Sequence, residues 1–252
     1  MGACISSDLA VGPDFYLPTI PADIVQMTTE SSKEELAEFT ALISASFCGS
    51  RNKAPEAALS WCYDPKSAVD GFLKEDPSEE RTIFFDFLAA WCLHTCLRHG
   101  GCFVLKKDGK MVAAAATIPP NDKKLHDAGI CEQMKIMSRT GISNLPKEME
   151  QPRMVELGNV MKKAHNDIVP GRHLYVYAFA TSIEHQGKGY GRELMQFLCD
   201  SAGKDTIVEY GGATFSIHKK YNLSVDYNER AHYFSVLDDD DNDVIVITLN
   251  IR

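Results

Sequence analysis

The sequence predicts a single domain of the mixed α/β class, with helices flanking one central sheet. Two short apolar runs are joined by Asp108-Gly109, a dipeptide that strongly indicates a β-hairpin. An aromatic run at residues 173–181 leads directly into a glycine-rich turn and an amphipathic helical pattern. Helical and strand patterns are interspersed along 252 residues, a length that suits one large domain or two small ones.

The first half of the chain contains its clearest helix signals. Ser32 and Glu35 have the spacing of a capping box, and apolar residues then recur at helical spacing up to Gly49. A second helical pattern ends at Gly100-Gly101. Residues 50–75 yield only short helical pieces. The predicted elements are strands at 23–28, 102–107 and 110–117 and helices at 32–49 and 78–98.

The second half predicts the central strand and the elements around it. These elements are helices at 122–139, 147–167, 187–202 and 213–221 and strands at 173–181, 206–210, 230–237 and 243–251. The region 119–170 would form a helical block long enough to cap a substrate site. Residues 1–21 contain three prolines and little periodicity, which is typical of a mobile leader. The acidic turn 238–243 lacks the glycine and final glutamate of a calcium loop and is interpreted as a solvated hairpin tip.

Composition and charge narrow the class of function. The net charge of −9 offers no basic stripe for nucleic acid and mildly favours a cationic substrate. No apolar run reaches the roughly 18 residues of a membrane helix, and no signal peptide is evident. Eight cysteines without an export signal predict reduced thiols and a cytoplasmic location.

The N-terminus carries a possible lipidation signal. Gly2, exposed once Met1 is removed, and Ser6 fit the N-myristoylation pattern, and Cys4 lies where a second acyl chain is often added. Two chains would hold the protein on a membrane face, whereas one gives marginal binding. The alternative is a chance pattern in a leader.

A glycine-rich turn follows the central strand and offers backbone amides at a helix start, which is a ready site for phosphate. Gly187, Gly189 and Gly191 have the spacing G-x-G-x-G, which differs from the G-x-G-x-x-G of dinucleotide-binding folds. Gly191 is followed by Arg192, so the turn is not a Walker A loop either. A glycine turn without any ligand is the structural alternative.

The pattern Gln186-x-x-Gly189-x-Gly191 resembles the acetyl-CoA loop of the GNAT superfamily, the acyl-CoA-dependent N-acyltransferases. The resemblance covers about residues 22–252. It implies a central, mostly antiparallel twisted sheet flanked by helices, with 119–170 as a helical insertion before the central strand. It also implies acetyl-CoA as the acyl donor. The residues that it assigns to the cofactor are Phe179, Ala180, Thr181, Gln186, Gly187, Lys188, Gly189, Tyr190, Gly191 and Arg192.

The same resemblance suggests where a general acid would lie. Many members of the family have a tyrosine in the short helix after the fifth strand, which protonates the leaving thiolate. His218 occupies that position here, and Tyr221 stands three residues later. Either can donate a proton, and His218 would do so near neutral pH. The alternative is that both side chains only pack or face solvent.

The general base is less well indicated. The central strand has no carboxylate, although several enzymes of the family use a glutamate there. Glu156 is the nearest carboxylate upstream, and a chain of water molecules is an equal alternative. Strict alternation would place three aromatic side chains on one face of the strand and three small ones on the other. These are Tyr175, Tyr177 and Phe179 on the first face and Val176, Ala178 and Ala180 on the second.

The predicted helix at 78–98 carries possible zinc ligands at its C-terminal end. Cys92, Cys96 and His99 share a helical face, which is compatible with zinc. No second Cys-x-x-Cys pair completes a finger, and the surrounding apolar residues indicate a core helix. No metal is therefore predicted.

Together these features predict an N-acetyltransferase that moves an acetyl group from acetyl-CoA to a primary amine by direct attack in a ternary complex. The acceptor would be a small molecule or a peptide. Two alternatives remain: a CoA-binding module without catalysis, and a membrane-tethered adaptor on the same scaffold.

Overall fold

In the computed structural model, residues 20–53, 55–63, 68–69, 72–73, 75–118, 134, 138, 146–147, 152–155, 173–202, 207–213, 231–237 and 243–251 are described. The leader, the acidic turn and the predicted helix after Ala213 lie outside these residues. Of the two helices predicted within 119–170, the helical positions Met134, Ser138 and 152–155 are described.

The observed elements follow the predicted order closely. The helices are α1 (Lys33–Cys48), α2 (Ala57–Tyr63), α3 (Glu79–Leu97) and α4 (Tyr190–Ala202). The strands are β1 (Ile24–Met27), β2 (Ala68–Val69), β3 (Phe72–Leu73), β4 (Cys102–Lys107), β5 (Lys110–Ile118), β6 (His173–Thr181), β7 (Ile207–Ala213), β8 (Ala231–Leu237) and β9 (Asp243–Ile251).

Two boundaries differ from the prediction by three residues, and both involve glycines. Helix α4 begins at Tyr190 rather than Gly187, because Gly187 and Gly189 have positive φ and cannot be helical. Strand β7 extends to Ala213, where a helix was predicted to begin. Gly211 and Gly212 pair with β9 instead of breaking the strand.

Seven strands form one mixed sheet in the order β1-β4-β5-β6-β7-β9-β8. Every pair is antiparallel except β6 and β7, which are parallel and are connected through α4. A parallel pair needs such a crossover connection. The predicted mixed, mostly antiparallel sheet flanked by helices is confirmed.

The capping box and the hairpin turn predicted in the first half of the chain are both present in the structure. The Ser32 hydroxyl accepts from the amide of Glu35, and the Glu35 carboxylate accepts from the amide of Ser32, which completes the capping box. Asp108 and Gly109 have φ of 52° and 77°, the left-handed conformation that a two-residue hairpin turn requires at both positions.

The region that the sequence could not place is held by the buried Arg81. Its Nε and Nη2 donate to the carbonyl oxygen of Cys48 at 3.1 and 3.0 Å, and Nη2 also donates to Ser60 Oγ at 2.7 Å. The guanidinium also lies over the rings of Tyr63 and Phe85. Arg81 therefore joins the ends of α1, α2 and α3.

The central strands are buried on both faces. Helices α1 and α3 pack on one face, and α4 packs on the other. The four alanines at 113–116 in β5 are completely buried, and their small side chains let helices approach the sheet from both sides.

A β-bulge in β6 overturns the predicted alternation. Ala116 pairs with Ala178 and Thr117 pairs with Val176, so Tyr177 is an extra residue opposite β5. Tyr175, Tyr177, Ala178 and Ala180 therefore face α1 and α3, whereas Val176 and Phe179 face α4. One inserted residue reverses the phase of every side chain beyond it, which is why strict alternation placed Phe179, Ala178 and Ala180 on the wrong faces.

Candidate active site

The sheet opens between β6 and β7 at the bulge. Their parallel ladder runs from His173 opposite Ile207 to Val176 opposite Tyr210 and ends there. Strand β7 continues beyond this point by pairing with β9, while β6 continues to Thr181 by pairing with β5. The two parallel strands thus part just where Tyr177 is inserted. Among the described residues, the edge of β6 beyond Val176 that faced β7 therefore has no strand partner, and this unpaired edge is called the gap.

The backbone of β6 next to this gap has a defined direction. The amide of Ser182 donates to Val112 O at 2.9 Å, so Ser182 points toward β5. Backbone groups alternate between the two edges of an antiparallel strand. Counting back from Ser182, the backbone N–H and C=O groups of Ala180 point toward β5. The backbone groups of Phe179 and Thr181 point toward the gap.

The glycine-rich turn lies at the end of β6 nearest the gap. A short 3₁₀ turn at Ile183–His185 leads into it. Gly187 and Gly189 have φ of 81° and 88°, and apart from the chain neighbours no atom of the described residues lies within 4 Å of the position that a Cβ would take at either residue. Both glycines are required by conformation, and both border open space.

The first turn of α4 has backbone amides without a partner within the helix. The amide of Glu193 donates to Gly189 O at 3.0 Å, which is the first bond of the helix. The amides of Tyr190, Gly191 and Arg192 precede it and have no carbonyl one turn earlier in the helix. They lie at the positive end of the helix dipole, where an anion is stabilised.

The turn is attached tightly to the end of β6 through Thr181. A Cβ on Gly191 would lie 2.6 Å from Thr181 Oγ1, so only glycine fits there without a shift. Gln186 Nε2 donates to Thr181 O at 3.1 Å. Ser46 Oγ of α1 donates to the same oxygen, also at 3.1 Å. A carbonyl oxygen has two lone pairs, and these two bonds occupy both.

Basic side chains surround the turn. Lys188 and Arg192 are exposed and flank it in sequence. Lys107 of β4 donates to Asp23 and, at 2.8 Å, to Glu193 Oε1, and its Nζ lies 5.7 Å from the centre of the Tyr190 ring. The bonds to Asp23 and then Glu193 raise the pKa of Lys107 above its ordinary value, so it stays charged.

The opposite face of the bulge is aromatic and thiol-rich. Burial raises the pKa of the Tyr177 phenol well above its ordinary value, and the nearby Cys92 adds to this effect. Burial also raises the pKa of the Cys92 thiol to about 12. Both groups are therefore neutral near pH 7, and Cys92 is a poor nucleophile.

The structure does not gather metal ligands in the described part of the chain. No group of three His, Cys, Asp or Glu residues there is placed to hold an ion. Cys102 directs its thiol to Leu93 O at 3.6 Å, and Cys96 is fully buried in the α1/α3 core.

The residues predicted to contact acetyl-CoA are all described, and they lie together at the gap and the turn. The predicted catalytic residues His218, Tyr221 and Glu156 and the predicted lipidation sites Gly2 and Cys4 lie outside the described residues.

Sequence reasoning did not single out Ser46, Lys107 or Glu193. The glycines reveal their role through spacing alone. In contrast, a lysine before a hairpin turn and a serine on a helix carry no signal of contact with a distant loop.

Residues 153–210 match the model of a family described as the acetyltransferase (GNAT) family. The matched range includes β6, the glycine-rich turn and α4, and ends within β7. The predicted resemblance to the GNAT superfamily is thereby confirmed.

Several solved structures are similar to the chain. An agmatine N-acetyltransferase mutant in its apo form is 16% identical with a TM-score of 0.49, over 91% of this chain and 100% of that one. A polyamine N-acetyltransferase from Drosophila melanogaster is 15% identical with a TM-score of 0.49, over 91% and 99%. An N-acetyltransferase from Staphylococcus aureus is 11% identical with a TM-score of 0.46, over 90% and 99%. Likeness at this level does not identify a substrate.

No curated protein sequence matches the chain significantly. Within the described residues, no helix is both long and apolar enough to cross a membrane.

Proposed function

We propose that this protein transfers an acetyl group from acetyl-CoA to a primary amine, by direct attack of the amine in a ternary complex. One observation carries the proposal: the glycine-rich turn lies at the end of the gap that opens between β6 and β7 at the Tyr177 bulge. A phosphate site and an opened sheet edge are thus continuous. An extended cosubstrate with a diphosphate at one end and a thioester at the other would fit along them.

The turn would hold the pyrophosphate of acetyl-CoA. Backbone amides from Gln186 to Arg192 are the donors that we assign to it, since the amides in the first turn of α4 have no partner within the helix and the adjacent Gly187 and Gly189 border open space. Lys188 and Arg192 add positive charge at the same place. Phe179 and Thr181, whose backbone points toward the gap, would run beside the pantetheine arm, with Ala180 between them. The thioester would then lie near the bulge.

The chemistry needs an uncharged amine, a polarised carbonyl and a proton for the leaving thiolate. The amine nitrogen attacks the thioester carbon, and the C–S bond breaks as the thiolate takes up a proton. We assign that proton to His218 or Tyr221 and removal of the amine proton to Glu156 or a water chain. No thiol of the enzyme is acylated in this scheme, which agrees with the raised pKa of Cys92.

The acceptor would be a small molecule or a peptide with a primary amine. The net charge of −9 favours acceptors that arrive as cations, because long-range attraction raises their local concentration. A cationic acceptor must lose a proton before it attacks, so the rate should increase with pH until the free amine predominates.

The test combines binding with turnover. We expect CoA to bind, and we expect acetyl-CoA with a panel of primary amines to release free thiol. S-acetylpantetheine, which lacks the pyrophosphate, should react far more slowly at equal concentration. A donor preference of less than about twofold would contradict the assignment of the turn to the pyrophosphate.

Binding of CoA without turnover on any amine would favour the CoA-binding module instead. If neither binding nor turnover is found, the enzyme proposal is wrong. For the general acid, His218→Ala and Tyr221→Phe are compared at saturating acetyl-CoA. Whichever variant loses kcat while keeping its KM for acetyl-CoA identifies the donor.

A further inference from the structure

The proposed pyrophosphate site contains a charge of the wrong sign. Glu193 lies in the first turn of α4, directly after the three amides that have no partner within the helix. A carboxylate there stabilises an isolated helix through the helix dipole, but it repels a diphosphate bound to the same helix end. Its side chain is 42% exposed.

Lys107 lies against this carboxylate. Its Nζ contacts Glu193 Oε1 at 2.8 Å and also Asp23, and it lies over the ring of Tyr190, the first residue of α4. One positive and two negative charges meet here, giving a net charge of −1. Removing Lys107 would leave −2 beside the phosphate site and no cation on Glu193.

We propose that Lys107 is a positioning residue for the cosubstrate: by pairing with Glu193 and covering Tyr190, it makes the helix start electrostatically suited to a diphosphate. This inference rests on the proposed function. Lys107 need not touch the phosphates. It acts through Glu193, whose carboxylate it holds in place.

The neighbouring residue supplies a matched control. Lys106 of the same strand pairs with Glu35 of α1 at 2.9 Å, and the two lysine side chains are 24% and 29% exposed. Both ion pairs join β4 to a helix, and both carboxylates lie in a first turn. The two lysines differ in which helix they contact and in the second partner of Lys107, Asp23, and the Glu35 pair is not part of the turn or the gap. Any general effect of losing a lysine from β4 should appear equally in both variants.

The experiment measures the Kd of CoA for the full-length protein and for four variants: Lys107→Gln, Glu193→Gln, the double variant and Lys106→Gln. Titrations are done at ionic strengths of about 0.01 M and about 0.15 M, where charges are screened over ~30 Å and ~8 Å. We expect Lys107→Gln to weaken binding about three- to tenfold at the lower ionic strength and less at the higher. Lys106→Gln should bind as the wild type does.

The double variant decides whether Lys107 acts through Glu193 or directly on the bound diphosphate. If Lys107 acts by holding the Glu193 carboxylate in place, its loss should change the Kd less than about twofold once Glu193 is Gln. An equal loss of affinity in both backgrounds, or equal effects of Lys106→Gln and Lys107→Gln, would overturn the inference while leaving the proposed function intact. Failure of the wild type to bind CoA would overturn both.

Discussion

Gly189→Ala should impair acetyl-CoA binding far more than it impairs folding. Gly189 has a φ of 88° and open space where its Cβ would lie, so the alanine meets no atom and the cost is conformational. A non-glycine residue in this region costs about 1–2 kcal/mol. For a domain of this size, each kcal/mol lowers Tm by roughly 2–4 °C. The protein should therefore remain folded.

The hairpin turn provides a control with the same backbone cost. Gly109 has a φ of 77°, is exposed and also has nothing within 4 Å of its Cβ position. Gly109→Ala should lower Tm about as much as Gly189→Ala does. Gly109 lies in the turn between β4 and β5 and does not belong to the glycine-rich turn, so its substitution should leave the Kd of CoA unchanged.

The expected loss of affinity follows from the amides at the start of α4. A methyl group on Gly189 would stand where the phosphates approach and would shift the turn that aims those amides. Losing one hydrogen bond to a charged group costs about 1.5–3 kcal/mol, which is a roughly 10- to 150-fold increase in Kd. Calorimetric titration of CoA and thermal unfolding would measure both quantities. Equal Kd values for the two alanine variants, at equal Tm, would refute the assignment of this turn to the diphosphate.

Three further changes test the surroundings of the site. Gly191→Ala should lower the free energy of unfolding by about 1–3 kcal/mol, because its Cβ would lie 2.6 Å from Thr181 Oγ1. Adding Thr181→Ala should recover most of this loss. Denaturant titration would measure both effects. Ser46→Ala, which removes the hydrogen bond to Thr181 O, should raise the KM for acetyl-CoA a few-fold. Thr40→Ala removes a hydrogen bond within α1 and should leave this KM unchanged. Equal KM values for the two variants would show that the Ser46 contact is irrelevant to binding. Burial raises the pKa of Cys92 from 9.0 to about 12, so the folded state loses stability as pH rises between these values. The unfolding free energy of Cys92→Ala should therefore decline less steeply over this range than that of the wild type. Parallel curves of unfolding free energy against pH would contradict the raised pKa.

Much of the fold could be predicted because its signals are local. The capping box at Ser32 and Glu35 and the Asp108-Gly109 turn each depend on residues within four positions of one another. The bulge at Tyr177 could not be predicted in this way. The bulge is defined by the pairing of β6 with β5, whose residues lie about sixty positions earlier in the chain. No residue type in β6 indicates it. An alternation rule applied through a bulge gives correct faces before it and reversed faces after it.

The candidate site also combines residues that local sequence signals indicate with residues that only long-range contacts reveal. Positive φ and close approach both demand glycine, so Gly187, Gly189 and Gly191 mark the turn in the sequence itself. Ser46 contacts Thr181 across 135 residues, and Lys107 contacts Glu193 across 86. Serine and lysine serve many roles on helices and strands, so neither carries a signal of such a contact. These partners became visible only when the sheet brought distant segments together.

Thr181 shows how these contacts combine to shape the site. Its carbonyl oxygen is bound by α1 through Ser46 and by the turn through Gln186, while its hydroxyl lies against Gly191 at the start of α4. The end of β6, the turn and the first residues of α4 are thus fixed to one another before any ligand arrives. Backbone amides that are already aimed need little ordering when an anion binds, and a lower ordering cost leaves more of the interaction energy as affinity. Small changes around Thr181 should therefore affect cosubstrate affinity more than the fold, since the central sheet does not depend on these three contacts.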